Sequence, residues 1–257
     1  MKKELIHINI NDYPKELHVY FNYNNIYDSS CSRNAKVLYI DTGYYLKIAP
    51  IGALKEEYVN TKWFNKHGLG VKVLKYISTD KDYLLTEEAK GLDGTHYLND
   101  PVRLCQIYAN TLKKLHSIDC NNYFKKDKMD KYIQLATNNY QLGKYEDYVL
   151  LKRFNIKTKE EVFAYIKNNI HKLKKDTLLH GDYCLPNIVI DDNDNVTLID
   201  LDHSGVGDKH IDLFWAIWSL SYNLKTEKYN DYFLEIYGKD NYDESILKLI
   251  ACIETLG

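Results

Sequence analysis

The first third of the chain alternates short runs of β-branched and aromatic residues with polar turn residues, a pattern typical of antiparallel strands. Residues 16–48 are predicted to form strands and turns, beginning with the run ELHVYFNYNN. The run AKVLYI-DTG-YYLKI at 35–48 surrounds a glycine-containing turn and predicts a β-hairpin. Residues 53–67 carry apolar side chains at helical spacing and predict a helix. Two further strands are predicted at 71–79 and 82–89.

After about residue 100 the apolar spacing becomes helical. Amphipathic helices are predicted at 101–119, 158–173, 209–224 and 244–256. One β-hairpin interrupts them, because the runs NIVI and VTLID flank a polar turn between residues 187 and 200. The pattern therefore predicts an α+β protein with two parts, a β-rich domain at 1–88 and a mainly helical domain at 89–257.

The composition adds few constraints but disfavours several classes of protein. The chain has 257 residues, of which 45% are hydrophobic and 27% are charged, as in ordinary globular proteins. No apolar run approaches the roughly 18–20 residues of a membrane helix, and the start MKKELIHININD lacks a signal-peptide core. Five scattered cysteines without a CxxC pair favour reduced thiols. A cytoplasmic protein with no membrane partner is expected. No basic run mixed with aromatic residues indicates nucleic acid binding.

Charge is distributed unevenly, although the net charge is only −2. From His180 to the end there are 15 acids against 5 lysines, a net of −10, whereas the preceding 179 residues carry 21 acids and 29 bases, a net of +8. The basic first part suits an anionic ligand, and the acidic second part suits a cationic ligand. Solvated faces of opposite sign explain the same numbers, so charge alone leaves both interpretations open.

The stretch HGDYCLPNIVIDDNDNVTLID at 180–200 contains the most candidate chemistry. A turn explains its acidic tip, but it does not explain Asp182, Asn187 and Asp200. Phosphoryl transfer needs a carboxylate that accepts the proton of the attacking hydroxyl, oxygen ligands for Mg²⁺, and a cation on the phosphates. Asp182 could serve as the carboxylate, and Asn187 with Asp200, at the outer ends of the hairpin, could serve as the metal ligands.

The cation for the phosphates would come from the β-rich domain. Lys47 lies in the strand YYLKIA between apolar neighbours, and Glu57 follows in the predicted helix. A lone lysine would be an ordinary solvated side chain. The apolar setting and the downstream carboxylate favour an ion pair that holds the ammonium toward a phosphate. Because every residue type that phosphoryl transfer requires is present, a catalytically dead nucleotide-binding module is disfavoured.

Two signals together, HGD-x4-N at 180–187 and IDLDHSGVGDKHID at 199–212, resemble the aminoglycoside phosphotransferase family of small-molecule kinases. The similarity is greatest to the aminoglycoside 3′-phosphotransferases and the related streptomycin kinases, and it extends over nearly the whole chain. It implies a two-lobed protein-kinase-like fold. It also implies roles for five residues already singled out: catalysis by Asp182, metal binding by Asn187 and Asp200, and phosphate contact by Lys47 with its partner Glu57.

The same resemblance places the nucleotide in the first domain and the substrate pocket in the second, with ATP and Mg²⁺ as the implied donor and metal. LLTEEAKG looks like the hinge that binds adenine, through the backbone carbonyl of Glu87 and the N–H of Ala89. The threonine before Glu87 would be a small gatekeeper, so GTP stays open as a second donor. The glycine-free segment at 27–37 takes the place of the loop over the phosphates, where Ser29 and Ser32 are candidate donors.

Members of this family bind ammonium groups of the substrate with carboxylates. The implied candidates are Glu146 and Glu254, with Asp202 and His203 beside the metal-binding aspartate. The sequence departs from the family pattern at two places. It has His203 where the family often has the arginine of IDxGR, and it ends in ETLG rather than in acidic and aromatic residues. The kinase chemistry is unaffected, but the identity of the substrate stays open.

Several neighbouring residues favour structural roles. Asp212, at a predicted helix start, would be an N-cap, and the resemblance implies that it braces the catalytic loop; both roles could hold together. His180 is expected to bond to loop backbone, and His116, on an apolar helix face, is expected to be a core residue. Cys184 has no neighbouring histidine or cation in the sequence pattern that would activate it as a nucleophile.

The predicted function is ATP-dependent O-phosphorylation of a hydroxyl group on an aminoglycoside antibiotic, conferring resistance. The enzyme would bind a cationic small molecule and be a monomer or a weak dimer. The alternative is a kinase of another small molecule: a macrolide, a sugar metabolite, or a choline-like compound, for which Trp215 and Trp218 would contribute to an aromatic cage. A protein kinase is disfavoured, because only 11 residues separate Asp200 from Asp212.

Overall fold

Antiparallel strands come first along the chain and most of the helices later, as the apolar spacing predicts. The computed structural model describes residues 3–22, 24–31, 35–146 and 153–257. They divide into two compact units, the first formed by residues up to Gly91 with Thr197–Asp202 and the second by Leu92–Val196 with His203–Gly257. The first unit is β-rich and the second is mainly helical, so the predicted α+β class is confirmed.

The first unit is built on one six-stranded sheet with the order β1-β2-β3-β4-β6-β5. Its strands are β1 (Glu4–Ile6), β2 (Ile26–Asp28), β3 (Lys36–Ile40), β4 (Tyr44–Ala49), β5 (Val73–Ser78) and β6 (Asp82–Glu87). Among the described residues of this unit, two α-helices accompany the sheet, α1 (His18–Phe21) and α2 (Lys55–Lys66). The hairpin predicted at 35–48 is β3 paired antiparallel with β4, and the helix predicted at 53–67 is α2, so both predictions are confirmed.

The pleat of this sheet separates apolar from polar side chains. The core face is formed by Leu38, Ile40, Leu46, Ile48 and Leu85, all buried. Each of these side chains contributes roughly 1.5–3 kcal/mol by leaving water. Tyr45 and Lys47 alternate with them along β4 and therefore lie on the opposite face. The register places Tyr39 opposite Tyr45, so the hairpin gathers aromatic and charged residues on one face.

One strand prediction is wrong. Residues 16–25, interpreted as a strand, contain a 3-10 turn at Lys15–Leu17 and the short helix α1. Leu17 and Phe21 are four positions apart and both are buried, whereas Val19 between them is 68% exposed. This spacing places the two buried side chains on one helical face. Short apolar runs fit a strand and a helix almost equally well, which is why the pattern did not separate them.

The second unit is mainly helical. Its helices include α3 (Pro101–His116), α4 (Lys128–Gln141), α5 (Lys159–Asn169), α6 (His210–Leu224), α7 (Asn230–Tyr237) and α8 (Glu244–Glu254). α5 begins with a capping box, in which Thr158 Oγ1 accepts from the Glu161 N–H and the Glu161 carboxylate accepts from the Thr158 N–H. In the part of the chain that the structure describes, no helix has both the length and the apolar character needed to cross a membrane.

Short strands in this unit position the loop that carries Asp182. β7 (Leu92–Asp93) pairs with β9 (Ile188–Ile190), and β8 (Thr177–Leu179) pairs with β11 (Gly205–Gly207). β10 (Val196–Leu198) begins at the last residue of this stretch of the second unit, and its other two residues belong to the first unit. The acidic tip is the predicted turn, because one Asp191 carboxylate oxygen accepts from the N–H groups of Asn193 and Asn195 at 2.8 and 2.9 Å. The catalytic-loop candidate therefore runs from the end of β8 to the start of β9.

Candidate active site

Lys47, Glu57 and Asp200 come together in the first unit. The Lys47 Nζ lies 2.8 Å from a carboxylate oxygen of Glu57 and 2.7 Å from Asp200 Oδ1. Lys47 is on β4 and Glu57 on α2, where its side chain is buried. The ion pair predicted between Lys47 and Glu57 is therefore present, and the aspartate predicted to bind metal forms the second contact of the same ammonium.

Two hydrogen bonds hold the segment 197–202 in the first unit and so bring Asp200 to this lysine. The Leu198 N–H donates to the Leu69 carbonyl at 2.7 Å, and Asn60 Nδ2 on α2 donates to the Leu201 carbonyl at 2.6 Å. Asp200 has a φ of 59°, in the left-handed region that non-glycine residues seldom occupy. Backbone conformations of this kind cost of order 1–3 kcal/mol and occur preferentially at functional sites.

The two carboxylates keep Lys47 charged. Burial alone would lower the pKa of the ammonium, but Glu57 and Asp200 outweigh that effect and raise the pKa above its ordinary value. The lysine is therefore a permanent cation in the physiological range. Because it is held between two acids, its position is fixed before any anionic ligand arrives.

Asp182 lies in the loop between β8 and β9 and is held by Asn187. Asn187 Nδ2 donates to the Asp182 carboxylate and to the Asp182 backbone carbonyl, each at 2.9 Å. Both bonds use the amide nitrogen, so the amide oxygen of Asn187 lies on the other edge of the planar group. Asn187 itself ends the 3-10 turn Leu185–Asn187. The loop thus fixes a carboxylate and directs the amide oxygen of Asn187 away from it.

Asp212 braces this loop and does not cap its own helix. One carboxylate oxygen accepts from the Gly181 N–H at 2.8 Å, and the other accepts from the His180 N–H at 2.9 Å and contacts His116 Nε2 at 3.1 Å. Because a carboxylate only accepts, His116 Nε2 donates, and His116 Nδ1 pairs with the Tyr237 hydroxyl at 2.9 Å. The predicted core role of His116 is confirmed.

The network around Asp212 keeps a fully buried carboxylate ionised. Burial raises the pKa of Asp212, but the hydrogen bond and charge of His116 outweigh it, and the pKa lies below its ordinary value. His180 bonds loop backbone as predicted, since its Nδ1 accepts from the Asp182 N–H at 3.3 Å. Asp212 therefore holds the backbone of His180 and of Gly181, which is the immediate neighbour of Asp182.

Gly181 is required at this point of the loop. Its φ is 90°, a conformation that L side chains rarely adopt. A Cβ there would also lie 2.1 Å from the His203 carbonyl oxygen, which is closer than any real contact. The glycine therefore lets the loop backbone approach the segment around His203.

Glu254, predicted to bind substrate, is buried at the end of α8 and has two hydrogen-bond donors. Its Oε1 accepts from the Tyr132 hydroxyl at 2.6 Å and from Trp215 Nε1 at 3.2 Å. Burial raises the pKa of this carboxyl to about 7, against the lowering effects of Tyr132, Lys128 and Trp215. The sequence suggested the acid but neither of its aromatic donors, which lie on α4 and α6.

The other predicted substrate residues are distributed over both units. Glu146 is exposed, and its N–H donates to the Thr255 carbonyl at 2.9 Å, so it lies beside the end of the chain. His203 belongs to the second unit, where its carbonyl accepts a hydrogen bond from Lys128. Asp202 belongs to the first unit, where its charge acts on Glu57.

The raised pKa of Glu254 predicts a pH dependence of stability. The folded state binds one more proton than the unfolded state between about pH 4.5 and about pH 7, so the free energy of unfolding falls as pH rises through this window, by up to about 3 kcal/mol. Glu254→Gln removes the titration. Urea unfolding at about pH 5 and about pH 8 should show a fall in wild-type stability, relative to Glu254→Gln, of about 2–3 kcal/mol.

Glu235→Gln is the matched control, because Glu235 is exposed on α7. That variant should follow the wild-type pH profile. A wild type and a Glu254→Gln variant with parallel profiles would show that Glu254 titrates normally and would contradict the prediction.

The nucleotide candidates lie in the first unit. Glu87 ends β6, and the Glu88 N–H donates to the Gly43 carbonyl at 2.9 Å, so the segment predicted to be the hinge is bound to the β3–β4 turn. Ser29 is buried, and its N–H donates to the Val37 carbonyl at 2.8 Å. Ala89 follows two residues after the end of β6. Ser32 lies outside the described residues.

Tyr45 is a candidate that the motifs did not single out. It lies two residues before Lys47 on β4 and so on the same face of the sheet. The register places it opposite Tyr39 on one side and opposite the gatekeeper candidate Thr86 on the other. Its ring is 5.0 Å from that of Tyr39. The sequence did contain one signal for Tyr45. It is two residues from Lys47 in a predicted strand, and residues at this spacing lie on the same face of a sheet.

Comparison with known proteins gives the family. The model of the phosphotransferase enzyme family matches residues 30–246. A probable aminoglycoside 3′-phosphotransferase of Lactococcus lactis subsp. lactis is 42% identical over 99% of this chain and 98% of its own length. An aminoglycoside 3′-phosphotransferase of Niallia circulans is 29% identical over 80% of each chain.

The fold agrees with this result. A solved structure of the aminoglycoside phosphotransferase APH(3'')-Id from Streptomyces rimosus, in complex with ADP and streptomycin, superposes with a TM-score of 0.67. The two chains are 19% identical, and the match covers 86% of this chain and 90% of that one. The protein-kinase-like fold and a small-molecule phosphotransferase, both predicted from the sequence, are confirmed. The chain belongs to the phosphotransferase enzyme family.

Proposed function

We propose that this enzyme transfers the γ-phosphoryl group of ATP to a hydroxyl group of an aminoglycoside and thereby confers resistance to it. The observation that carries the proposal is the pair formed by Asp182 and Asn187, in which one amide nitrogen holds the carboxylate at two points, each at 2.9 Å. A carboxylate fixed in this way suits the task of orienting a hydroxyl and accepting its proton.

The proposed step proceeds in one displacement. The acceptor hydroxyl oxygen forms a bond to the γ-phosphorus as the bond to the ADP oxygen breaks, and the hydroxyl proton goes to the Asp182 carboxylate. Lys47 stabilises negative charge on the phosphates, since its ammonium is permanently charged and fixed by Glu57 and Asp200. Asp212 takes no proton. It holds the loop backbone next to Asp182.

The residues present fit Mg²⁺. We assign its protein ligands to the amide oxygen of Asn187 and the carboxylate of Asp200, which are the hard oxygen donors this ion prefers. Within the described ranges no group of three or more His, Cys, Asp or Glu could hold a metal. Two protein ligands suit an ion that usually completes its coordination with phosphates and water. When bound, Mg²⁺ neutralises charge on the phosphates.

The adenine would bind at the hinge, with the Glu87 carbonyl and the Ala89 N–H as its hydrogen-bonding partners. Tyr45 lies on the same face of the sheet as Lys47. Its aromatic ring offers a surface on which the adenine ring would stack. Ser29 and Ser32 are candidate hydrogen-bond donors to the phosphates. Thr86 is a small side chain at the gatekeeper position, which leaves room for GTP as an alternative donor.

Lys47→Met should lower kcat/KM for ATP about 10²–10³-fold, because one fixed cation on the phosphates is lost. The variant should also be less stable, since it leaves the buried Glu57 without its ammonium. Steady-state kinetics with varied ATP, and circular dichroism to verify folding, measure both effects. Lys75→Met, at an exposed position of β5, is the control and should leave kcat/KM unchanged. Equal kinetics for the two variants would contradict the role of Lys47.

Two observations favour an aminoglycoside as the acceptor. The second unit has acidic side chains that would attract its ammonium groups, and similar proteins are named as aminoglycoside phosphotransferases. Glu146 is exposed and Glu254 is buried, and each would attract an ammonium group in its ionised form. The Lactococcus relative is named a probable aminoglycoside 3′-phosphotransferase, and the Streptomyces neighbour was solved with streptomycin and ADP. Because ATP is an intracellular nucleotide, we place the activity in the cytoplasm.

The acceptor is tested with purified protein, ATP and Mg²⁺ by coupled detection of ADP release across kanamycin, neomycin, streptomycin, erythromycin and choline. Turnover with an aminoglycoside well above that with the other two compounds is the expected result. ADP release that does not respond to any aminoglycoside, in protein that binds ATP, would refute the proposed substrate.

A second candidate is a choline-like acceptor, favoured by an aromatic stripe on α6. Trp215 and Trp218 are in edge-to-face contact with ring centroids 5.5 Å apart, and Trp218 stacks on Tyr222 at 5.2 Å. Aromatic faces of this kind bind quaternary ammonium groups. The same acceptor panel decides between the two candidates, because choline would then be turned over in preference to kanamycin.

A further inference from the structure

The side chain of Lys128 lies across the catalytic loop. Lys128 is the first residue of α4, and its ammonium donates a hydrogen bond to the His203 carbonyl. A Cβ built on Gly181 would be 2.7 Å from the Lys128 Nζ, so the ammonium is beside the residue that precedes Asp182. The position of this cation is therefore tied to the loop that carries the catalytic carboxylate.

Two glycines make room for this lysine. A Cβ on Gly205 would lie 2.9 Å from both the Cβ and the Cδ of Lys128, and a Cβ on Gly181 would meet its ammonium. The aliphatic stem thus packs on backbone at one glycine, and the charged end reaches the other. A side chain with contacts along its whole length loses rotamer freedom, so the charge stays in place.

The charge of Lys128 acts on Glu254, one of the residues proposed to bind the acceptor. Both Lys128 and Asp182 act electrostatically on the buried carboxyl of Glu254, the lysine favouring its ionised form and the aspartate opposing it. The lysine, the catalytic carboxylate and the buried acid therefore share one region of the second unit. A pocket for a cationic acceptor that already contains a fixed cation must discriminate among ammonium positions.

We propose that Lys128 is a specificity-determining residue, a resident cation beside Asp182 that disfavours acceptors with an ammonium next to the reacting hydroxyl. The inference rests on the proposed function, since it concerns the acceptor of that same site. An acceptor with hydroxyl neighbours would avoid the like charge. An acceptor with an amine at that place would meet repulsion worth about a five- to tenfold loss of affinity.

Kanamycin A and kanamycin B provide a matched pair of probes, because B has an amine where A has a hydroxyl next to the 3′-hydroxyl. Isothermal titration calorimetry of the full chain, saturated with Mg²⁺ and ADP at low ionic strength, would give Kd for both. Lys128→Met keeps most of the packing on Gly205 and removes the charge. We expect its Kd for kanamycin B to fall about five- to tenfold and its Kd for kanamycin A to change less than about twofold.

Lys131→Met is the control, because Lys131 is exposed on the same helix and pairs with Asp127. It should leave both Kd values within about twofold of wild type. This control therefore measures how much the loss of any one positive charge on this helix changes Kd. Raising the salt concentration should also reduce the effect of Lys128→Met.

Two results would overturn the inference. They are equal shifts of Kd for the two kanamycins, and no shift of Kd for either kanamycin, whether or not kcat falls. Failure of the proposed function is distinguishable from these. Wild type would then phosphorylate neither kanamycin, whereas the difference in Kd between wild type and Lys128→Met would still report the resident cation. If neither protein binds either kanamycin, both proposals fall.

Discussion

Asp182→Asn is expected to lower kcat for phosphoryl transfer by about 10³-fold while leaving the Kd for ATP within about twofold of wild type. The amide keeps the size of the side chain and can still accept from Asn187, so the loop should keep its conformation. What is lost is the carboxylate that we propose as the base for the hydroxyl proton. The measurement is single-turnover kinetics with saturating acceptor, together with calorimetric binding of ATP.

Asp192→Asn is the matched control, because Asp192 lies exposed at the tip of the turn between β9 and β10. It makes the same chemical change a few residues from the site and should leave kcat unchanged. If Asp182→Asn retained more than about a tenth of wild-type activity, proton acceptance by Asp182 would not be part of the reaction.

Asp212→Ala is expected to have the largest effect on stability. The carboxylate is fully buried and has contacts with the Gly181 and His180 N–H groups and with His116, so its removal leaves three donors, one of them fully buried, without their acceptor. Removal of one member of a buried charged network costs about 3–5 kcal/mol. Because the loop next to Asp182 loses its brace, kcat should also fall about 10²-fold in protein that still folds.

Asp212→Asn serves as the milder variant if Asp212→Ala does not fold. Its single amide oxygen can replace only part of the network, so an intermediate loss of stability and activity is expected. Asp231→Ala, exposed on α7, controls for the loss of an aspartate in the second unit. Urea unfolding and steady-state kinetics are the measurements. A stability change for Asp212→Ala within about 0.5 kcal/mol of that control would show that the network contributes little.

Much of the fold follows from local sequence signals. The run around the Asp41–Gly43 turn forms β3 and β4, and Thr158 with Glu161 forms a capping box, because turn and cap chemistry act over a few residues. α4 and α7 were not predicted, although both are helices. The run at 16–25 was predicted as the wrong element. In this segment, burial of Leu17 and Phe21 decides the outcome, and burial is a tertiary property that a short pattern does not contain.

The candidate site was predictable to the extent that its residues lie in motifs. Lys47, Glu57 and Asp200 were each singled out from the sequence, and the structure brings them into contact in the first unit. The environment of Glu254 was not predictable. Its donors, Tyr132 and Trp215, lie 122 and 39 residues away in the chain, and only packing of the helices brings them together. The position of Lys128 was not predictable for the same reason, because its neighbours are far away in the sequence.

The central claim is that this chain transfers a phosphoryl group to an aminoglycoside hydroxyl with Asp182 as the base. The most direct test is mass spectrometry of kanamycin A after incubation with ATP, Mg²⁺ and either wild type or Asp182→Asn. We predict a product heavier by one phosphoryl group with wild type and essentially unmodified kanamycin with Asp182→Asn. Unmodified kanamycin with both proteins, or the same amount of product with both, would contradict the account.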